Sequence, residues 1–157
     1  MRRKDREIKD TDGIEGILKN CMTCRLAMID GGSPYVVPLS YGYGFPREGV
    51  LELYFHSARE GRKLDALRRN NKVCFDISRE GEIIVSEDPC SCGYYYESVI
   101  GFGDAEFVTD PAEKCAALSA IYERQTGDSV SFTEGMAESV CVIKVVSRDF
   151  TGKKKAR

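Results

Sequence analysis

The chain has 157 residues, enough for one compact domain, and its 42% hydrophobic content can fill a core. A formal net charge of −2 excludes the broad basic field that non-specific nucleic-acid binding requires. No apolar run approaches the ~20 residues of a membrane helix, and the charged start MRRKDREIKD resembles no leader, so the expectation is a single cytoplasmic domain over residues 1–157.

Thr11 or Asp12 predicts the cap of a short helix running to Asn20, with Ile14, Ile17 and Leu18 as its apolar face. TCRLAMID reads as a strand, GGSP as a turn and YVVPLSYGYG as a second strand, together a hairpin. Pro38 has no N–H, so it belongs at an edge or a break in pairing. FPREG predicts a loop. VLELYFHS alternates as a third strand, and a basic amphipathic helix follows from Gly61 to Arg69 with Leu64 and Leu67 inward. KVCFDISR and EIIVSE are two further strands, and PCSCG is a loop. YYYESVIGFGDAEFVTD is a long strand in which Gly101 and Gly103 mark a bulge or a bend. Asp110 caps a helix with Pro111 at its first position and Gly127 at its end. AESVCVIKVVSRDFTG is the last strand. Six or seven strands and three helices predict a mainly β fold, an antiparallel barrel with flanking helices.

One stretch carries binding chemistry on residue grounds alone. In YFHSAREGRK a strand passes through a small-residue loop into a helix. The first turn of a helix offers unpaired N–H groups and a partial positive charge, a ready anion site. Ser57 adds a hydroxyl, Arg62 and Lys63 add charge, and Gly61 allows close backbone approach. The set suits one phosphate monoester; the alternative is a solvated basic helix. It lacks the P-loop spacing. No second cluster of this kind is visible elsewhere in the sequence.

Seven cysteines without a leader indicate reduced thiols rather than a secreted scaffold. Cys21 and Cys24 form a C-x-x-C pair and Cys90 and Cys92 a C-x-C pair. Such pairs can hold zinc or a cluster, or act in redox chemistry, if the loops meet in space. Packing is the reading preferred for all seven, and no metal site is assigned.

The segments TCRLAMIDGGSPYVVPLSYGY, LYFHSAREGRKLDALRRNNKVCFDI and YESVIGFGDAEFV, in this order, resemble the pyridoxamine 5′-phosphate oxidase-related flavoproteins, with the nearest likeness to the nitroimidazole-resistance branch. That resemblance implies a split β-barrel of Greek-key-like antiparallel topology, binding FMN as a homodimer with the flavin at the subunit interface. It implies a phosphate held by Ser57, Ala58, Arg62 and Lys63, and a flavin ring along Val37, Pro38, Leu39 and Ser40 with Tyr41 nearby. His56 would lie beside the phosphate site as a catalytic or positioning group, its unperturbed pKa near 6.5, and its removal would weaken flavin or substrate binding. Ser98 would face the cofactor region. Glu97 departs from the pattern, which has a basic residue there.

The function implied is an oxidoreductase that reduces a small electron-poor, nitro-aromatic-like compound with electrons from a reduced nicotinamide. Two alternatives stand beside it. One is a non-enzymatic flavin or haem binder, a carrier or sensor, with His56 as the ligand if haem is bound; the other is a thiol-based metal or redox module using the C-x-x-C and C-x-C pairs. Pyridoxamine phosphate oxidation itself would need the second phosphate-binding set that the sequence does not display.

Overall fold

A computed structural model describes residues 3–156; Met1, Arg2 and Arg157, part of the basic tails, lie outside the described residues. A two-residue strand, β1 (Glu7–Ile8), was not expected from the pattern. Helix α1 (Thr11–Asn20) follows, and its cap is Asp10, one residue earlier than predicted, whose carboxylate accepts from Gly13 N–H at 2.7 Å. Strands β2 (Cys24–Asp30) and β3 (Ser33–Leu39) form the predicted hairpin across Gly31 and Gly32.

The predicted second strand is in fact two. β3 stops at Leu39, and β4 (Gly42–Arg47) begins after only Ser40 and Tyr41. The loop predicted at FPREG contracts to a turn at Glu48 and Gly49. β5 (Val50–Ser57) and α2 (Arg62–Arg69) then match the sequence pattern. The two strands read in KVCFDISR and EIIVSE are one, β6 (Lys72–Ile84), with a register shift between Glu80 and Ile83. A 3-10 turn at Pro89–Ser91 leads into β7 (Gly93–Val108). After α3 (Pro111–Thr126) comes a short helix not expected from the pattern, α4 (Glu134–Glu138), capped by the Thr133 hydroxyl, and then β8 (Cys141–Lys155).

All pairings are antiparallel, and the order across the sheet is β3-β2-β6-β7-β8-β5-β4, with β1 added to β8. β3 and β4 are the two outer strands of that path, yet two residues join them. A chain covers at most about 3.6 Å per residue, so the sheet must roll until its edges meet. The result is the expected split barrel, with its seam at Ser40–Tyr41. Tyr41 plugs the seam from inside, 1% exposed, and its hydroxyl donates to the carbonyls of Leu18 and Cys21 at 2.8 and 2.9 Å. Arg124 of α3 bonds to the same two carbonyls.

The roll also needs a bend in the long strands. The β7–β8 register slips between Phe102 and Asp104, and a Cβ on Gly103 would sit 2.6 Å from Val146 O. Only glycine allows that approach. Fully buried Ser147 donates its hydroxyl to Phe102 O at 2.6 Å across the irregularity. Inside the barrel, Leu26, Leu53, Phe55, Phe75, Ile77, Val99 and Ile143 pack against α1 and α2. A second apolar cluster forms where α3 and α4 cover Val108 and Val142 on the other side of the sheet.

Candidate functional site

Ser57 closes β5 and Gly61 opens α2. Gly61 has φ +138° and ψ 164°, backbone that is essentially restricted to glycine. A Cβ there would touch nothing, so the backbone angle and not crowding requires the residue. A glycine cap has no side-chain acceptor, and no side chain caps this helix. Leu64 N–H bonds back to Gly61 O at 2.9 Å, so the N–H groups of Arg62 and Lys63 are the ones left for solvent or a ligand.

Two cations at this terminus point to different neighbours. Arg62 donates from Nε to Asp30 Oδ2 at 2.7 Å, and its guanidinium lies 4.3 Å from the centre of the Tyr35 ring. Arg69 holds the other oxygen of Asp30. Hydrogen bonds from Arg62 and then Arg69 keep the Asp30 carboxyl below its ordinary pKa. Each exposed contact is worth only about 0.2–1 kcal/mol, but together they clamp the start of β3 to α2. Lys63 is half-buried, and among the described residues no carboxylate pairs with it. Burial lowers its pKa, and Cys141, opposite Ser57 in the β5–β8 register, lies close to it.

β3 pairs only with β2, so its other backbone edge is free. Val37 and Leu39 turn toward the core, while Val36 and Pro38 are exposed. Ser40 lies exposed in the seam. The clamp thus ties the α2 terminus to Asp30 at the end of β2 and to Tyr35 in β3, the strand whose outer edge is unpaired. Asp30 and Tyr35, which make the clamp, escaped sequence reasoning, because nothing local ties them to a residue some 30 positions away.

Three predicted residues stand apart. The Tyr41 side chain belongs to the core and has its hydroxyl committed, so only its backbone can face a ligand. His56 and Ser57 are neighbours in a strand, where successive side chains take opposite faces. Ser57 is 7% exposed on the inner face, and His56 is exposed on the outer face with Tyr54. The His56 ring and the Ser57 hydroxyl therefore point to opposite faces of β5. Ser98 lies opposite Ser78 and Lys153 on the outer face of β7, three strands or roughly 14 Å from β3.

Glu97 is buried and bonded by Arg79 at 2.6 Å and Lys154 at 3.2 Å. Burial alone would raise its pKa, but hydrogen bonds from Lys154 and Arg79 bring it below the ordinary value. Cys21 and Cys24 are fully buried; burial pushes Cys21 up to about 11 and Cys24 higher still. Cys90 and Cys92 are exposed. Among the described residues no group of three or more His, Cys, Asp or Glu side chains could hold a metal ion, and no helix is long and apolar enough to cross a membrane.

Residues 10–154 match the pyridoxamine 5′-phosphate oxidase family. The chain belongs to that family. A Bacteroides thetaiotaomicron structure, named as a candidate 5-nitroimidazole antibiotic resistance protein, is 35% identical over 94% of this chain and 86% of its own, with a TM-score of 0.80. Two more distant structures share the fold. The flavocytochrome Anf3 from Azotobacter vinelandii is 19% identical over 100% of this chain and 72% of its own, at a TM-score of 0.79. An FAD and haem binding protein from Mycobacterium smegmatis is 18% identical over 97% and 74%, also at 0.79. No curated protein matches in sequence.

Proposed function

We propose that this family member is an FMN-dependent oxidoreductase that reduces a small electron-poor compound, nitro-aromatics first among them, with electrons from a reduced nicotinamide. The observation that carries the reading is the Arg62–Asp30–Tyr35 clamp, which joins an uncapped helix terminus to a free strand edge. A phosphate and a polar heterocycle edge are the two ends of FMN. The open approach at Gly61, where a side chain would touch nothing, fits the first; the unpaired edge of β3 fits the second.

In this reading Ser57, Ala58, Arg62 and Lys63 hold the phosphate, and the backbone of Val37, Pro38, Leu39, Ser40 and Tyr41 meets the ring. Half-buried Lys63 interacts with an anion more strongly than a fully hydrated lysine would. When bound, the flavin supplies the hydride and electron chemistry, and the chain supplies position and charge. His56, on the other face of β5, is assigned to substrate and not to the phosphate.

The working form is a homodimer with the flavin at the interface. Val36, Ala27, Cys74 and Phe102 lie in one register row across four strands. Val36 and Phe102 are 53% and 57% exposed, and Ile29 and Ile100 flank them at 40% and 45%. An apolar face of this extent on a sheet favours burial against a second copy. Ser98 shares that face, so in the dimer it meets the partner and not its own α2.

The name of the 35%-identical relative supports the nitro-compound substrate class, and the names of the two more distant structures support a flavin as the cofactor. The test is the visible spectrum of the purified protein, then identification of the cofactor released by acid, then nicotinamide-dependent reduction of a nitro-aromatic. Bound FMN with turnover is the expected result. A colourless protein that takes up no FMN overturns the reading, and a Soret band would replace it with haem binding.

A further inference from the structure

Packing accounts for five of the seven cysteines, which are buried or half-buried, but not for Cys90 and Cys92. Both are exposed, one on each side of Ser91, in the connection between β6 and β7. Asp88 builds the 3-10 turn that carries them. One of its carboxylate oxygens accepts from Cys90 N–H at 3.1 Å and the other from the Ser91 hydroxyl at 2.7 Å.

The two sulfurs differ in their surroundings. Ser86 N–H donates to Cys92 Sγ at 3.4 Å, and the thiol donates back to Ser86 O at 3.5 Å. The first of these bonds survives loss of the thiol proton, and hydrogen bonds to sulfur of that kind tune metal-bound thiolates. Among the described residues no hydrogen bond reaches Cys90 Sγ. From Glu80 to Cys92 the chain carries the carboxylates Glu80, Glu82, Glu87 and Asp88 and no lysine or arginine. That field attracts cations and repels anionic reagents, acidic low-molecular-weight disulfides among them. The turn itself opposes a direct S–S bond. Its three residues per turn make side chains two positions apart diverge around the axis, whereas a disulfide needs its sulfurs about 2.05 Å apart.

We infer that Cys90 and Cys92 form an exchangeable site for one soft monovalent cation, Cu(I), held between the two sulfurs. Soft thiolate ligands select Cu(I), zinc and iron–sulfur clusters. Structural zinc and clusters need about four protein ligands, and this turn offers two. Asp88 has both carboxylate oxygens engaged in the turn, and among the described residues no group of three or more ligating side chains converges. Cu(I) has a filled d shell and is satisfied by two thiolates in a near-linear arrangement. Such an ion bridges sulfurs too far apart for a disulfide. Cu(I) and two thiols give a bis-thiolate complex of net charge −1 and two released protons, with no change of oxidation state. Exposure of both sulfurs suits a site that loads and passes on its ion rather than a structural one. The site uses none of the residues assigned to the flavin and does not depend on that reading.

The probe is Cu(I) presented on a chromogenic chelator, titrated without oxygen into the reduced full chain. The expected result is one ion taken up per chain, with a thiolate-to-copper absorption band in the near ultraviolet. Cys90→Ser and Cys92→Ser should each lose both signals at an unchanged melting temperature, since both side chains are exposed. Asp88→Ala removes the cap that sets the turn and should weaken binding roughly 10–100-fold. Ag(I), which shares the two-coordinate preference, should displace the copper, and Zn(II) should not. Undiminished uptake in both serine variants, or no uptake from the chelator, overturns the proposal. Zn(II) bound as tightly as Cu(I) overturns the two-ligand geometry. If a small disulfide removes two hydrogens from the pair, read by mass, and the reduced protein takes up no copper, the pair is a redox couple and the metal site is refuted.

Discussion

Replacing Gly61 by alanine tests the binding loop most directly. At φ +138° and ψ 164° an L-residue is strained, and no neighbouring atom lies within reach of an added Cβ. The whole effect is therefore backbone strain, about 1–3 kcal/mol. For a chain of this size that lowers the melting temperature by about 2–4 °C per kcal/mol. Strain is relieved only if the cap rotates, and rotation swings the N–H groups of Arg62 and Lys63 away from any bound phosphate. FMN affinity should then fall by roughly tenfold or more, equal to about 1.4 kcal/mol. Gly49, at φ +71° in the β4–β5 turn with nothing near its Cβ, is the control. Gly49→Ala should cost about 1–2 kcal/mol of stability and leave FMN binding unchanged. Thermal melts and flavin-fluorescence titration of both variants read the difference. A Gly61→Ala protein with wild-type FMN affinity would refute the assignment of this terminus as the phosphate site.

His56→Ala should bind FMN as the wild type does, because the ring and Ser57 are on opposite faces; a tenfold loss, about 1.4 kcal/mol, would place the ring at the cofactor. In the native protein a thiol reagent should modify Cys90 and Cys92 quickly and Cys21 and Cys24 only after unfolding, which mass spectrometry of the labelled peptides reads out. The Glu97 pKa is lowered in the fold, so its stabilising contribution is complete above the ordinary carboxylate range and is lost as pH falls through the lowered value. Acid melts should show that loss in the wild type and not in Glu97→Gln, which should cost about 1–3 kcal/mol near neutral pH. Phe102→Glu puts a charge in the middle of the apolar sheet face, and light scattering should find the wild type dimeric and this variant monomeric.

β5 and its faces are legible in the sequence because it alternates, Leu51, Leu53 and Phe55 against Glu52 and Tyr54. Asp110, Pro111 and Gly127 bounded α3 for the same reason: each has a local chemical role. The misreadings have a common cause. The break at Ser40–Tyr41 lies within an unbroken strand-like run and exists only because the sheet closes there. The single strand β6 reads as two in the sequence, divided at Glu80–Gly81, beside the register shift with β7 that keeps a polar stretch in the ladder. At the site, a strand–loop–helix signature revealed the helix terminus, since its chemistry is local. The clamp by Asp30 and Tyr35 and the opposed faces of His56 and Ser57 depend on tertiary geometry.

β3 concentrates two features that folded proteins normally cover. Its backbone edge is unpaired, and its outer face presents Val36 in line with Ala27, Cys74 and Phe102. An open edge invites pairing with another chain, and an apolar face invites association. In the proposed complex a flavin ring meets the first and a second copy covers the second, on the same seven residues. Whatever orders β3 for one ligand then lowers the ordering cost for the other, so the two binding events are linked. The linkage is reciprocal: FMN should tighten the dimer by the same factor by which dimerisation tightens FMN. Phe102→Glu, far from any flavin contact within its own subunit, should therefore also weaken FMN binding. In the proposed complex the clamp supplies the physical route, because Arg62 ties the N-terminus of α2 to Tyr35 in the first half of that strand.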